Sequence, residues 1–505
     1  MRTKLNPSPL FTDGAVLCRG KEIRLFGEAE DGVTVRTVLF DAGGRILGEN
    51  EAVGKGGKFL ICLPPQEIQT GCRLMFSDGT DEATATDVAI GEVYLAGGQS
   101  NMELELRNAA EGPAIIPTLN DPGIRFFNVP RKACENEEQR EALAQTHWHA
   151  ADPETGGYNS AVAYFFARKM REKHPEVPLG IIGCYWGGTS VTCWMDEETL
   201  RSLSEGKRYL EEYAERSGEK TMAEYLKEEE VHNRLMDEWN GRVERYKAEH
   251  PGAPWKNIED AAGICPWNPP AGPGSPYRPA GLAGSMLRHV SPCTLTGILY
   301  YQGEDDAGRT DHYDTLMIAM IRYWRKLFRE AELPFLFVQL PMWIDVDAPD
   351  SFRWPLTRLA QAAVRDTVRN TGMISQLDQG EYGNIHPVHK QPVGERLAEL
   401  LLAMRGEDGK VSPRAVGKHT AGNTMTVQLS APVSPADGKV PALMEIAGED
   451  GQFVPARAVI SEDTLRLWAP EVEHPVQARY AWTDYSDRVN LFGENGMPLE
   501  PFWLR

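Results

Sequence analysis

The chain has 505 residues and a formal net charge of −20, with the hydrophobic and aromatic content of a globular protein. That length exceeds one ordinary hydrophobic core and predicts about three domains. The charge disfavours nucleic acid and acidic membrane surfaces as partners, because both carry the same sign. The eight cysteines are scattered with no Cys-x-x-Cys pair, which argues against a zinc ribbon or redox motif and for reduced thiols. The start has no apolar signal-like segment, and no apolar run approaches the ~20 residues of a membrane helix. A cytoplasmic protein is the expectation.

Residues 1–90 alternate short apolar runs, such as Glu22-Ile-Arg-Leu-Phe26 and Lys58-Phe-Leu-Ile-Cys-Leu63, with Gly/Asp turns such as Ser77-Asp-Gly79. That rhythm predicts a β-sandwich-like module. From Gly91 strands alternate with helices. Strands are expected over 93–96, 179–184, 295–301, 335–340 and 373–377, and helices over 160–171, 313–328 and 356–368. Apolar strands between helices predict a parallel sheet covered on both faces, within an α/β domain spanning 91–405. Residues 197–263 are dense in Glu, Lys and Arg at helical spacing, which predicts a charged helical insertion. A coiled-coil interface is disfavoured there, because no a/d seam is sustained. The Pro/Gly/Trp-rich stretch 265–279 is irregular, and its Trp267 and Tyr277 are residue types that line sugar sites. From about 406 short strands return, predicting a C-terminal β module over 406–505.

The segment richest in chemistry is Gly91-Glu-Val-Tyr-Leu-Ala-Gly-Gly-Gln-Ser-Asn-Met102. A buried strand ends at two glycines and leaves Ser100 at the carboxyl edge of the sheet, where α/β folds place their chemistry. Taken alone, Gly-Gly-Gln-Ser reads equally well as a turn in which Ser100 caps a helix. A serine hydrolase also needs a base, a group to orient it and oxyanion donors. Three other strand ends carry those residue types. Trp186-Gly-Gly-Thr-Ser190 offers unshielded backbone N–H groups, Gln302-Gly-Glu304 a side-chain amide, and Asp378-Gln-Gly-Glu-Tyr-Gly-Asn-Ile-His386 an imidazole.

Together, Gly-Gly-Gln-Ser100-Asn-Met, Trp186-Gly-Gly-Thr-Ser, Tyr300-Tyr-Gln-Gly-Glu304 and Ile385-His-Pro-Val-His-Lys-Gln-Pro-Val-Gly394 resemble the sialate O-acetylesterase family of SGNH-type carbohydrate esterases. Leu10-Phe-Thr-Asp-Gly-Ala-Val-Leu17 and Asn490-Leu-Phe-Gly-Glu-Asn-Gly-Met-Pro-Leu-Glu-Pro-Phe502 also resemble family segments. The resemblance implies an SGNH, flavodoxin-like three-layer α/β/α hydrolase domain with N-terminal and C-terminal all-β modules. It implies removal of acetyl esters from sugars, with O-acetylated sialic acids favoured, and no metal or organic cofactor. Carried over by residue, it implies Ser100 as nucleophile and His386 as general base. It implies an oxyanion hole from the N–H of Ser100, an N–H of Gly187 or Gly188, and the Gln302 side chain. Substrate-side roles fall to Asn101, Glu304 and Arg358.

One departure stands out. The family's acid two residues before the catalytic His is Asn384 here, and the position three before is Gly383. Three arrangements follow. A backbone carbonyl, such as that of Asn384, orients His386 in a Ser–His dyad; Asp378 or Glu381 folds back as the acid; or activity is weak or lost. The first is favoured. The pair His386 and His389 flanks Pro387, which disfavours a helical zinc site. Asp345, Asp347 and Asp350 lack the glycine and closing Glu of a calcium loop. The alternatives to sialate deacetylation are an acetylxylan or oligosaccharide acetylesterase, and a non-catalytic sugar-binding protein on an esterase scaffold. The expected partner is a small acetylated sugar or oligosaccharide, with a homo-oligomer left open.

Overall fold

The computed structural model describes residues 5–345, 348–349 and 351–505, so Asp347 and Asp350 lie outside the described residues. One strand organises the rest. Strand β1 (Glu82–Gly98) runs for 17 residues. Its first half pairs antiparallel with Gln69–Ser77, part of an N-terminal set of antiparallel strands. Its second half, containing Val93, Tyr94, Leu95 and Ala96, lies in the middle of a mainly parallel sheet. Residue 90, the expected end of the N-terminal module, therefore sits inside a strand shared by both regions.

The other sheet strands are β2 (Asp121–Asn128), β3 (His149–Ala151), β4 (Leu179–Tyr185), β5 (Gly297–Tyr301), β6 (Phe335–Val338) and β7 (Thr371–Ile374). Their order is β3-β2-β4-β1-β5-β6-β7, with all neighbours parallel except the β2–β3 edge. The chain fills one side of β1 with β2 and β4, then crosses to the other with β5. That reversal makes a switch point at the carboxyl end of β1, where open α/β sheets bind ligands.

The helices used below are α1 (Ser100–Glu103), α2 (Ala161–Lys173), α3 (Ser204–Ser217), α4 (Met222–Glu249), α5 (Tyr313–Leu327), α6 (Arg353–Thr367) and α7 (Gln391–Met404). Side chains alternate between faces along a strand, and here both faces are covered. Val93, Leu95, Ile298 and Phe335 share a core with Met317, Met320 and Trp324 of α5. Tyr94, Ala96, Leu299 and Leu336 share another with Phe165 and Phe166 of α2 and Leu397 of α7. Double coverage explains why these strands read as unbroken apolar runs. Strand β2 escapes that pattern because it opens on Asp121-Pro-Gly123 and carries Arg125. Helix α7 escapes it because Pro392 opens it, at a position in the first turn where a missing N–H costs nothing.

The charged stretch 197–263 is helical, and α4 opens on a capping box formed by Thr221 and Glu224. Trp239 and Val243 of α4 pack with Ile258 and Ala262 in a small apolar cluster of their own. The C-terminal region is rich in sheet, with two four-stranded sheets and a two-stranded pair. Met342 and Leu377 join its core. Among the described residues no helix is long and apolar enough to cross a membrane. All eight cysteines are unpaired.

Gly98 ends β1 with φ of +130°, and a Cβ there would lie 2.1 Å from the Tyr301 carbonyl oxygen of β5. Both backbone conformation and space therefore require glycine. Gly98→Ala is expected to destabilise the fold by about 2–4 kcal/mol, measurable by denaturant unfolding. A surface glycine with open space around it, such as Gly308, should tolerate the same change.

Candidate active site

Ser100 opens α1 directly after the Gly97–Gly98 end of β1. The turn is pinned from β5, because the Gln99 N–H donates to the Tyr301 carbonyl at 3.0 Å. The Gln99 side-chain oxygen also accepts from the N–H groups of Gly303 and Asp305, at 3.4 and 3.3 Å. The hydroxyl is thus held at the switch point by backbone, not by its own packing.

His386 arrives from the loop after β7, and its Nε2 lies 2.8 Å from Ser100 Oγ. A hydroxyl donating to Nε2 leaves the ring proton on Nδ1. Among the described residues no protein group is hydrogen-bonded to Nδ1. This corrects the expected orienting groups. Asn384 acts through its side chain, not its carbonyl: its Oδ1 accepts from the His386 backbone N–H at 3.0 Å. Its Nδ2 donates to Glu381 Oε2 at 2.8 Å, and Glu381 Oε1 accepts from the Val388 N–H at 2.8 Å. Asp378 is paired instead with Arg396, at 2.6 and 2.7 Å. His386 is therefore held through its backbone, with no carboxylate on its ring among the described residues.

Two expected oxyanion donors are otherwise engaged. The Gly187 N–H donates to Glu103 Oε2 at 2.6 Å, and Glu103 is ion-paired with Arg131. Gly187 still lies against Ser100, since a Cβ on it would be 3.2 Å from Ser100 Cβ. Gln302 is buried, with its Nε2 donating to the Thr189 carbonyl and to Asp306 Oδ2 at 3.2 and 2.7 Å. Its Oε1 accepts from Tyr313 at 2.9 Å, so both ends of the amide are committed. Neither the Ser100 N–H nor the Gly188 N–H has a hydrogen-bond partner among the described residues.

The three substrate-side expectations are also revised. Arg358 is fully buried, and it donates to the Thr483 carbonyl of the C-terminal region at 2.5 Å. It supports the junction with the C-terminal region. Asn101 and Glu304 are buried beneath the Ser–His pair, and Asn101 Nδ2 donates to Glu304 Oε1 at 2.6 Å. A polar residue beside a catalytic motif looks accessible in sequence; what covers it comes from remote segments.

A cavity of about 190 Å³ opens beside Gly188 and is lined in part by Tyr209, Tyr213, Trp267, Tyr277 and Asp305. Trp267 and Tyr277 meet edge to face at 5.8 Å. Gly188 has φ of +68°, and a Cβ on it would lie 2.3 Å from the Trp267 ring. The bare glycine lets the indole reach the loop next to Ser100. Tyr209 and Tyr213 come from α3, part of the expected charged helical insertion. Their signal was the pair of tyrosines at i and i+4 on an otherwise charged helix.

Desolvation, reinforced by the positive charge of Lys390, pushes the His386 pKa down to about 4. A general base works when neutral, so lowering its pKa extends activity to lower pH. The acid limb of kcat/KM for a small acetyl ester is expected near pH 4, where His386 protonates. A limb at the ordinary imidazole value of about 6.5 would show that burial and Lys390 do not act on it.

Comparison with known proteins gives a consistent picture. Residues 274–403 match the family described as carbohydrate esterase, sialic acid-specific acetylesterase. The sialate O-acetylesterase of Rattus norvegicus is 24% identical, over 95% of this chain and 90% of that protein. The human sialate O-acetylesterase is 23% identical, over 95% of this chain and 88% of its own. The crystal structure of a carbohydrate acetylesterase from Xanthomonas citri superposes with a TM-score of 0.77 at 26% identity, covering 99% of both chains.

Proposed function

We infer that this chain, which resembles the sialate O-acetylesterase family from end to end, is a carbohydrate O-acetylesterase that works through a serine acyl-enzyme. O-acetylated sialic acids are its favoured substrates. The observation that carries the reading is the 2.8 Å contact between Ser100 Oγ and His386 Nε2 at the sheet's switch point. That placement also supports the SGNH-type reading of the α/β domain.

In this account Ser100 Oγ attacks the acetyl carbonyl and its proton passes to His386 Nε2. The tetrahedral oxyanion takes the N–H groups of Ser100 and Gly188. The Ser100 N–H is in the first helical turn, where no intrahelical acceptor exists. Gly187, tied to Glu103, holds its loop against the nucleophile. The sugar oxygen then leaves with the proton from Nε2, and the acetyl group stays on Ser100. Water attacks the acetyl carbon as His386 takes its proton, the bond from that carbon to Ser100 Oγ breaks, acetate departs and the proton on Nε2 returns to Ser100 Oγ. An ester demands less of the base than an amide does, which suits a histidine without an acid. The Trp267 and Tyr277 faces beside Gly188 offer the apolar plane on which a sugar ring packs.

Ser100→Ala and His386→Ala are each expected to lower acetate release from O-acetylated sialic acid by on the order of 10³-fold or more. Wild-type rates in Ser100→Ala would overturn the mechanism. Wild-type binding of the acetylated sugar without acetate release would favour the sugar-binding alternative. Trp267→Ala is expected to raise KM for sugar esters about 10-fold while leaving 4-nitrophenyl acetate hydrolysis nearly unchanged. Equal losses on both substrates would place Trp267 outside sugar recognition.

A further inference from the structure

Beneath the Ser100–His386 pair lies a chain of buried polar side chains that the proposed reaction does not use. Lys390 and Asn101 are fully buried and Glu304 is 7% exposed. Lys390 Nζ donates to Asn101 Oδ1 at 2.6 Å. Asn101 Nδ2 donates to Glu304 Oε1 at 2.6 Å and to the Ile385 carbonyl at 2.9 Å. Lys390 Nζ also sits 5.4 Å from the centre of the Tyr301 ring. The four linked residues come from four places: Asn101 beside the nucleophile, Glu304 after β5, Ile385 directly before the base, and Lys390 at the start of α7.

Burying a charge costs several kcal/mol before pairing offsets it, and apolar replacements of buried ion pairs are often neutral or stabilising. Glu304 Oε2 moreover has no hydrogen-bond partner among the described residues. Such a chain is a poor stability device, and it converges on the segment that carries the base. Resting on the esterase reading above, we propose that Lys390, Asn101 and Glu304 form a positioning chain that stands in for the absent acid, holding His386 against Ser100 from the backbone side.

The lysine also acts on the ring by charge. The groups that act electrostatically on Lys390 are the carboxylates of Glu304, Glu381 and Glu111, and Lys390 in turn acts on the imidazole of His386. Burial pushes the Lys390 pKa down to about 7, so it is cationic throughout the lower range in which His386 takes its proton. A neighbouring cation opposes that protonation.

Lys390→Gln keeps an N–H donor for Asn101 and removes the cation. It is expected to move the acid limb of kcat/KM upward by about one pH unit. The NMR titration midpoint of His386 should move with it. Asn101→Ala breaks the chain at its middle and is expected to lower kcat about 10- to 100-fold, with KM changed less than about 3-fold. An unmoved midpoint in Lys390→Gln, or wild-type kcat in Asn101→Ala, would overturn the proposal. The NMR titration needs no turnover. A wild type that releases no acetate would sink the esterase reading, while a shifted midpoint would still establish the coupling. If Lys390→Gln does not fold, Asn101→Ala decides: a kcat lowered about 10- to 100-fold with KM little changed supports the chain, and a wild-type kcat overturns it.

Discussion

The close approach of Gly98 to the Tyr301 carbonyl is the constraint on which the site depends. Strand β1 is bonded on both edges and can end against β5 only if its last residue has no side chain. The chain then turns at once, and the next two residues are Gln99, tied to the loop after β5, and Ser100. The position of Ser100 follows from backbone packing at the end of a strand paired along both edges. A hydroxyl fixed in this way needs little packing of its own, which leaves it open to substrate.

A second constraint gathers the loops around it. The buried Asp306 carboxylate accepts from Ser190 Oγ, the Val191 N–H, Tyr209 and Gln302, at 2.6, 2.8, 2.8 and 2.7 Å. Those donors belong to the loop after β4, to α3 and to the loop after β5. One carboxylate therefore ties the inserted helix to two strand ends and shapes the wall of the cavity beside Gly188. Satisfying a buried charge with several donors is what makes its burial tolerable. The same demand explains why the Gln302 amide is spent on structure and not on an oxyanion.

What was legible in the sequence was local. The Gly-Gly end of β1 and Ser100 could be read because a strand end dictates its own turn within a few residues, whereas His386, well beyond the end of β7, was picked out by its residue type and the family resemblance. The alternation of apolar strands with helices could be read because both sheet faces are buried. What was not legible depended on covering segments. Arg358 sits on a helix whose polar face would be solvated, except that the Thr483 carbonyl of the C-terminal region lies on it. Glu304 and Asn101 sit in motifs that suggest contact with substrate, yet Lys390, almost 300 residues from Asn101, draws them into a buried chain. Asn384 was visible as a departure, but its side-chain bond to the His386 N–H belongs to a loop conformation that residue types alone do not specify.

Two backbone contacts hold the segment that carries His386: the Asn384 side chain on the His386 N–H, and Asn101 on the Ile385 carbonyl. The account stands or falls on covalent chemistry at Ser100. The most direct measurement is peptide mass spectrometry of enzyme acid-quenched during turnover of an acetyl ester. The account predicts one acetyl group on the peptide containing Ser100, lost on further incubation and absent in Ser100→Ala. Steady acetate release with no acetyl group on that peptide at any quench time would contradict it.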